Sequence, residues 1–404
     1  MSDNDNTIRQ EAPTRRDYMK YSGVVVGGGL LAGCTGDGDH GPSSDASDGS
    51  EPSDDFEPSN GDDSYSVTMS PVGTVEFDGV PETAVVYDDQ IADHLVALGQ
   101  QERIVSLGFP DRYYTGYYDE LPGVEFDTSD LTALYTDELV LDKEILYELD
   151  ADVHHLDPIS WEGTFDDADI EEIEQNIAPF FANRFSRAHG YQGDEPYEYY
   201  TLWKLLDKYA QVYQVQSRSE ALTRTRDEML EAIRAELPPQ EERPSVALVV
   251  YNHDENTFGP YLLNGPGFGK AHTRPLGAND ALAEGTKSYA SDSGSYSMEA
   301  MLEFDPDVII HNFDWNNVRD RTEAFFDLGD DPVGREITAV QNDRLYAGGS
   351  ALQGPIFNLF QLELSAKQIY PDLFGQPPEP GESVSEDEQL FDRKRVADII
   401  NGEI

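Results

Sequence analysis

The spacing of hydrophobic residues changes repeatedly along this chain, and each change marks a predicted element. Compact apolar runs at Ala84–Tyr87, Arg103–Leu107, Asp152–Leu156 and Ala178–Ala182 predict strands. Between them the period lengthens and predicts helices over Ile91–Leu98, Lys143–Leu149 and Ile170–Gln175. Further on, Ser245–Tyr251 is apolar at nearly every position, as in a strand covered on both faces. A helix over Met298–Glu303, strands at Asp307–His311 and Arg344–Ala347, and a helix over Phe357–Tyr370 follow. Such alternation is the signature of layered α/β architecture.

Between these two halves, Leu222, Met229, Leu230 and Ile233 recur at helical spacing until Leu237 and two prolines stop the run. Ser217 and Glu220 have the spacing of a capping box, so the helix is expected to run from Arg218 to Glu236, a rod of ~28 Å. The halves also share a segment. Glu144, Glu148, Asp150, Asp152 and Val153 match Glu299, Glu303, Asp305, Asp307 and Val308 without a gap, in both copies where a helix gives way to a strand.

The termini have a different character. Arg15 and Arg16 lie in a segment resembling the twin-arginine export motif, and an apolar, glycine-rich run from Tyr21 to Gly33 follows. Its thirteen residues cover only ~20 Å as a helix, too short for a ~30 Å hydrocarbon core, so residues 1–34 read as a signal peptide. Leu31-Ala32-Gly33-Cys34 resembles a lipobox, which makes Cys34 the expected lipid anchor. Cys34 is also the only cysteine, so no internal disulfide is expected. Residues 35–64 are Gly, Ser, Asp, Pro and Glu with almost nothing apolar, the composition of a disordered tether. Another acidic stretch, Gln376–Glu388, precedes a short expected helix in Leu390–Ile404.

Charge narrows the function. Eighty acidic against 27 basic residues give a formal charge of −53, which repels nucleic acid and anionic membrane surfaces. In molar salt the Debye length falls to about 3 Å, so these charges read as a high-salt adaptation rather than a binding site. No calcium loop of the EF-hand type is present. Gly265-Pro266-Gly267-Phe268-Gly269-Lys270 looks phosphate-like, but lacks P-loop spacing and has Ala271 where Ser or Thr is needed. No nucleophile elbow or other catalytic constellation occurs, so no enzyme activity is expected.

The doubled element with a long helix between its copies, the segment Ile337–Tyr346 and the helix Leu362–Phe374 together resemble the iron-siderophore, haem and cobalamin class of ABC-importer binding proteins, of halophilic archaeal type. The resemblance covers about Val80 to Phe374. It implies two Rossmann-like α/β lobes, residues 65–216 and 238–375, joined by a single helix at 217–237; the acidic stretch beyond them reads from composition as a tail at 376–404. It implies a ligand cleft between the lobes, limited closure, and delivery to an ABC permease and ATPase complex. The family's permease-docking glutamates correspond to Glu144 and Glu299. Cargo would be an iron-siderophore complex, haem or cobalamin, held by a monomer anchored through Cys34 on the outer face of the membrane.

Ligands of open α/β sheets bind beyond the carboxyl ends of the strands, which directs attention to the residues there. Arg112, Tyr113 and Tyr114 follow the strand ending at Leu107; Tyr135 is counted with them; His155 and Trp161 follow the strand of the first repeat; Arg184 and Arg187 follow Ala182. Asn252 and His253, then His311 and Trp315, follow strands of the second half, and Gln353 precedes the final helix. Aromatic faces and arginines suit a large, partly apolar, anionic chelate. Histidines at 154, 155, 189, 253, 272 and 311 leave open direct coordination of a metal or haem iron, or an anchored metal-dependent enzyme. A tethered adhesion module is a third reading.

Overall fold

A computed structural model of the chain describes residues 64–135, 141–161, 164–193, 196–285, 294–312, 324–379 and 382–403. The expected signal peptide, Cys34, all but the last residue of the tether, and Trp315 lie outside these residues. Residues 60–404 form one compact unit.

The first half begins with an antiparallel hairpin, β1 (Tyr65–Met69) and β2 (Gly73–Phe77), in register Tyr65 with Phe77. The chain continues through β3 (Ala84–Val86), α1 (Asp89–Ala97), β4 (Ser106–Leu107), β5 (Thr132–Ala133), α2 (Lys143–Leu149), β6 (Val153–His155) and α3 (Asp167–Asn176). β3 pairs in parallel with β6, and β4 with β5. Parallel bridges Ala84–Ile104 and His154–Phe180 extend the array, so the expected strand Ala178–Ala182 contributes only a bridge.

Helices α4 (Leu202–Val212) and α5 (Gln216–Glu236) follow. α5 starts two residues earlier than the sequence suggests. Gln214 adopts a left-handed φ of 54°, which turns the chain straight back into helix at Gln216. Ser217 is therefore inside the helix, and no side-chain cap forms. Its stripe of Ala221, Leu222, Thr225, Met229, Leu230 and Ile233 is buried, at the three- and four-residue spacing that lines one helical face.

The second half carries β7 (Ser245–Asn252), β8 (Thr257–Tyr261), β9 (Asn279–Asp280), β10 (Tyr296–Ser297), α6 (Met298–Phe304), β11 (Val308–His311) and β12 (Leu345–Ala347). They form one sheet in the order β10-β8-β7-β11-β12, with β9 paired to β7. β7, β11 and β12 are parallel, whereas β8 and β10 run antiparallel. Two further helices, α7 (Pro355–Ile369) and α8 (Arg393–Asn401), complete the chain.

The repeat found in the sequence has a structural counterpart. α2 and α6 both end on an aspartate in the left-handed region, Asp150 and Asp305, each with φ 42°. Two residues later Asp152 Oδ2 accepts from Thr83 N at 2.9 Å and Thr83 Oγ1 at 3.1 Å, while Asp307 Oδ2 accepts from Ser245 N and Oγ, both at 2.8 Å. In each copy one carboxylate thus pins the start of the strand beside the one it precedes: Ala84 pairs with Val153, and Val246 with Val308.

Strand alternation sorts the core. Ala247, Val249 and Ile309 join a cluster private to the second half, and Val85 joins one private to the first. Their neighbours Val246, Leu248, Val308, Ile310, Ala84 and Val86 instead share one cluster with residues of α1, α4, α5, α7 and α8. Each half therefore does not bury all of its core alone. The inner sheet faces are closed by common helices. No described helix is long and apolar enough to cross a membrane.

Candidate ligand-binding site

At the carboxyl ends of β3, β5 and β6 the chain presents rings. Tyr87, one residue beyond β3, meets Tyr135 edge-on at 5.2 Å and Trp161 at 4.8 Å. Phe109 stacks on Tyr135 at 5.0 Å, and the Arg112 guanidinium covers Phe109 at 4.8 Å. Arg184 lies over Tyr87 at 5.2 Å and Trp161 at 6.0 Å, with its Nε 3.3 Å from Asp88 Oδ1. Cations above aromatic faces are held by the ring quadrupole while keeping charge available to a ligand.

Buried Asp157 sets the loop that carries these arginines. Its Oδ2 accepts from Arg184 N at 2.9 Å and from Tyr197 Oη at 2.7 Å, and its Oδ1 from Ile159 N at 3.1 Å. Burial pushes the Asp157 carboxyl up, against the pull of these donors. Arg187, one turn on, meets the second half directly. Gly267 has φ 86°, and a Cβ there would stand 2.2 Å from Arg187 O, so this contact admits only glycine. Burial pushes the Arg187 guanidinium down, and Asp88 opposes the shift.

Across that contact lies Lys270. Its Nζ is 4.3 Å from the Tyr261 ring centre and 3.3 Å from Asn312 Oδ1, just beyond β11. Arg274 follows, with Nη1 donating to Gly265 O at 2.6 Å. Arg184, Arg187, Lys270 and Arg274 thus gather where the halves meet, in a chain with nearly three acids for every cation.

The other residues singled out in the sequence have varied places. Tyr113 is buried in the shared core, sharing a 2.6 Å hydrogen bond with Tyr118 Oη, and Tyr114 packs edge-on against Tyr117 at 4.9 Å. His155 is buried with Nδ1 2.8 Å from Phe181 O and Nε2 2.8 Å from Tyr213 Oη. His311 is buried 5.2 Å from the Phe325 ring. Gln353 is also buried and acts as a brace: its Nε2 donates to Phe268 O and Gly269 O, both at 3.2 Å, directly behind Lys270. His155 and His311 are the last residues of β6 and β11 and turn into the core, whereas Tyr113 and Gln353 reach it from loops. Asn252 and His253 are exposed, as are Glu144 and Glu299 in the first turns of α2 and α6.

Of the remaining histidines, His154 and His272 are buried, with imidazoles pushed down by burial to about 4 and about 3. His189 stacks on Tyr199 at 4.1 Å. No group of three or more His, Cys, Asp or Glu that could hold a metal occurs among the described residues. A separate depression of about 820 Å³ near α7 is lined by Tyr117, Phe360, Glu120, Glu363 and Arg393. Its one lining cation is paired: Arg393 meets Glu363, and its Nε lies 3.5 Å from Glu120 Oε2. Tyr87, Asp88, Tyr261 and Lys270 were missed from sequence; only the glycine-rich segment before Lys270 hinted at one of them.

Residues 85–352 match the model of the family described as periplasmic binding protein. No curated protein matches the chain. Among solved structures, a periplasmic binding protein from Veillonella parvula superposes with TM-score 0.58 at 17% identity, covering 78% of this chain and 94% of that one. The iron uptake ABC transporter substrate-binding protein PiuA from Streptococcus pneumoniae gives 0.54 at 14% identity, covering 76% and 97%. The siderophore-binding protein BauB, solved with two acinetobactin molecules and ferric iron, gives 0.53 at 15% identity, covering 76% and 98%.

Proposed function

The chain belongs to the periplasmic binding protein family, and from that premise we propose that it captures an iron chelate, or a related metal-bearing ligand such as haem or cobalamin, for an ABC importer. The observation that carries the reading is the gathering of Arg184, Arg187, Lys270 and Arg274 beside the Tyr87, Tyr135 and Trp161 rings, where the two halves touch. Flat rings fit the apolar faces of a chelate, and cations fit its charge. Two solved relatives in fold are named for iron uptake and siderophore binding, which agrees with this cargo.

In this reading the halves act as two lobes, and α5 is the strut between them. A rigid helix packed along a shared core restricts their relative motion, so capture is a small rocking of the strand tips. Glu144 and Glu299 then dock to the permease, supported by their exposure and by the matched geometry of the two repeats. Arg15, Arg16 and Cys34 give twin-arginine export and a lipid anchor on the outer face, and the acidic surface suits molar salt, as in halophilic archaea. The histidine alternative gains no support, because the candidates are scattered and no metal-holding group occurs among the described residues.

Native mass spectrometry of the full chain in turn with ferric siderophores, haem and cobalamin tests the cargo. One complex at one equivalent, without turnover, is the expected result. Retention of bare divalent metal and no chelate would overturn it.

A further inference from the structure

The depression near α7 shares no lining residue with the Tyr87, Trp161, Arg184 and Lys270 cluster. Three parts of the chain meet there: the segment beyond β4 that carries Tyr117, the region of β12 with Tyr346, and the acidic tail, while α7 contributes Phe360 and Gln368. Its volume of about 820 Å³ is that of a small-molecule site, typically ~300–1,000 Å³. Six carboxylates line it against one cation, where the whole chain has nearly three acids per cation. Glu120 and Glu363 are committed to Arg393, and burial still pushes the Glu120 carboxyl up against the pull of that guanidinium. Asp119, Asp343, Glu379 and Glu382 are exposed and, among the described residues, form no ion pair.

An acidic lining in so acidic a chain needs no ligand to explain it. Gln368 does. It lines the same cavity yet is only 3% exposed. Its Nε2 donates to Ala347 O at 2.8 Å, which fixes the orientation of the amide, and its buried Oε1 accepts no hydrogen bond among the described residues. A buried amide oxygen without a donor is unfavourable, and a ligand that brings an N–H offsets that cost. The carboxylates do not converge, for no three described acids could hold a metal ion. Separated carboxylates suit separated positive charges rather than one point charge. Tyr117 and Phe360, stacked at 4.7 Å, and Tyr346 offer apolar surface to the chain that would join those charges. Arg393, 4.4 Å above Phe360, already places a cation on one of these rings.

We propose that this cavity is a second binding site, one for a linear polyamine: ammonium groups meet the unpaired carboxylates, methylene stems lie along the rings, and one N–H donates to Gln368 Oε1. An occupant there ties the acidic tail to both halves. The test does not depend on the chelate. Equilibrium dialysis of the full chain against putrescine, spermidine and spermine is run in molar KCl, where a Debye length of about 3 Å suppresses diffuse attraction to a charge of −53. One saturable site is expected, with affinity rising at least about threefold for each added ammonium group and no displacement by magnesium. Gln368→Met, close in shape, should weaken spermine about tenfold by removing the acceptor. Asp119→Lys, at an exposed position, carries the test if Gln368→Met does not fold, and should weaken spermine at least about threefold. Uptake that never saturates, equal affinity for the three amines, displacement by magnesium, or a folded Gln368→Met or Asp119→Lys that overlays the parent would overturn the site.

Discussion

Replacing Asp93 with asparagine should reverse its effect on stability with pH. Asp93 is fully buried on α1, where Oδ2 accepts from Phe357 N at 3.0 Å and Oδ1 from Tyr118 Oη at 2.9 Å. It therefore caps α7 from the first half, and a Cβ on Gly354 would meet Oδ2 at 2.6 Å. Burial raises the carboxyl to about 7, against the pull of the Phe357 amide and the Tyr118 hydroxyl. Because the folded value lies above the unfolded one, the folded state holds the proton more tightly. This contribution to stability is full below about pH 4 and is lost as pH rises through 7. Between pH 5 and pH 8 the loss integrates to about 2.5 kcal/mol. Asparagine keeps the shape and removes the titration. At pH 5, where Asp93 is protonated, the variant should be about 1 kcal/mol less stable, through imperfect replacement of its hydrogen bonds. At pH 8 it should match or exceed the parent. Guanidinium unfolding of both proteins at the two pH values, in fixed molar salt, gives the double difference. A gap between variant and parent that does not change with pH would refute the assigned titration.

Other outcomes follow from the same reasoning. Glu363→Ala strips Arg393 of a buried partner and should destabilise by about 3–5 kcal/mol in chemical unfolding. Gly267→Ala forces the loop off Arg187 O and should weaken chelate binding in equilibrium titration while leaving helix content by circular dichroism intact. Acidification tests the histidines: burial holds His154 and His155 down at about 4, below the unfolded value, so stability is present above about pH 6.5 and lost as pH falls towards 4. Dialysis from molar to about 0.1 M salt should lower the melting temperature, since a charge of −53 then repels itself over a Debye length of about 10 Å.

Much of this architecture was legible in the chain because period and punctuation agree there. Lys143–Leu149 is the helix expected, and β7, α6, β11 and α7 fall within a residue or two of their predicted places. The doubled helix-to-strand element was readable because Asp152 and Asp307 perform the same local task. The hairpin β1–β2 and helix α4 escaped, the hairpin because it follows a tether of similar polarity, the helix although Leu202, Leu205, Leu206 and Tyr209 recur at helical spacing and carried a readable signal. Within the site, rings and arginines after strands were visible as types. Direction was not, since Tyr113 and His155 point into a core shared by both halves, a long-range feature that no local window contains. Lys270 shows the opposite case: an unremarkable lysine acquires meaning only when Arg187, distant in sequence, closes against its loop.

The central claim, that an iron chelate binds beside the Tyr87 and Trp161 rings and the cations Arg184, Arg187 and Lys270, is tested most directly by titrating the full chain with ferric citrate and following tryptophan fluorescence. Saturable quenching at one equivalent is predicted, weakened at least about tenfold by Arg187→Met, the loss of one charged contact in a partly desolvated site. Quenching that never saturates, or an Arg187→Met titration that overlays the parent, would contradict it.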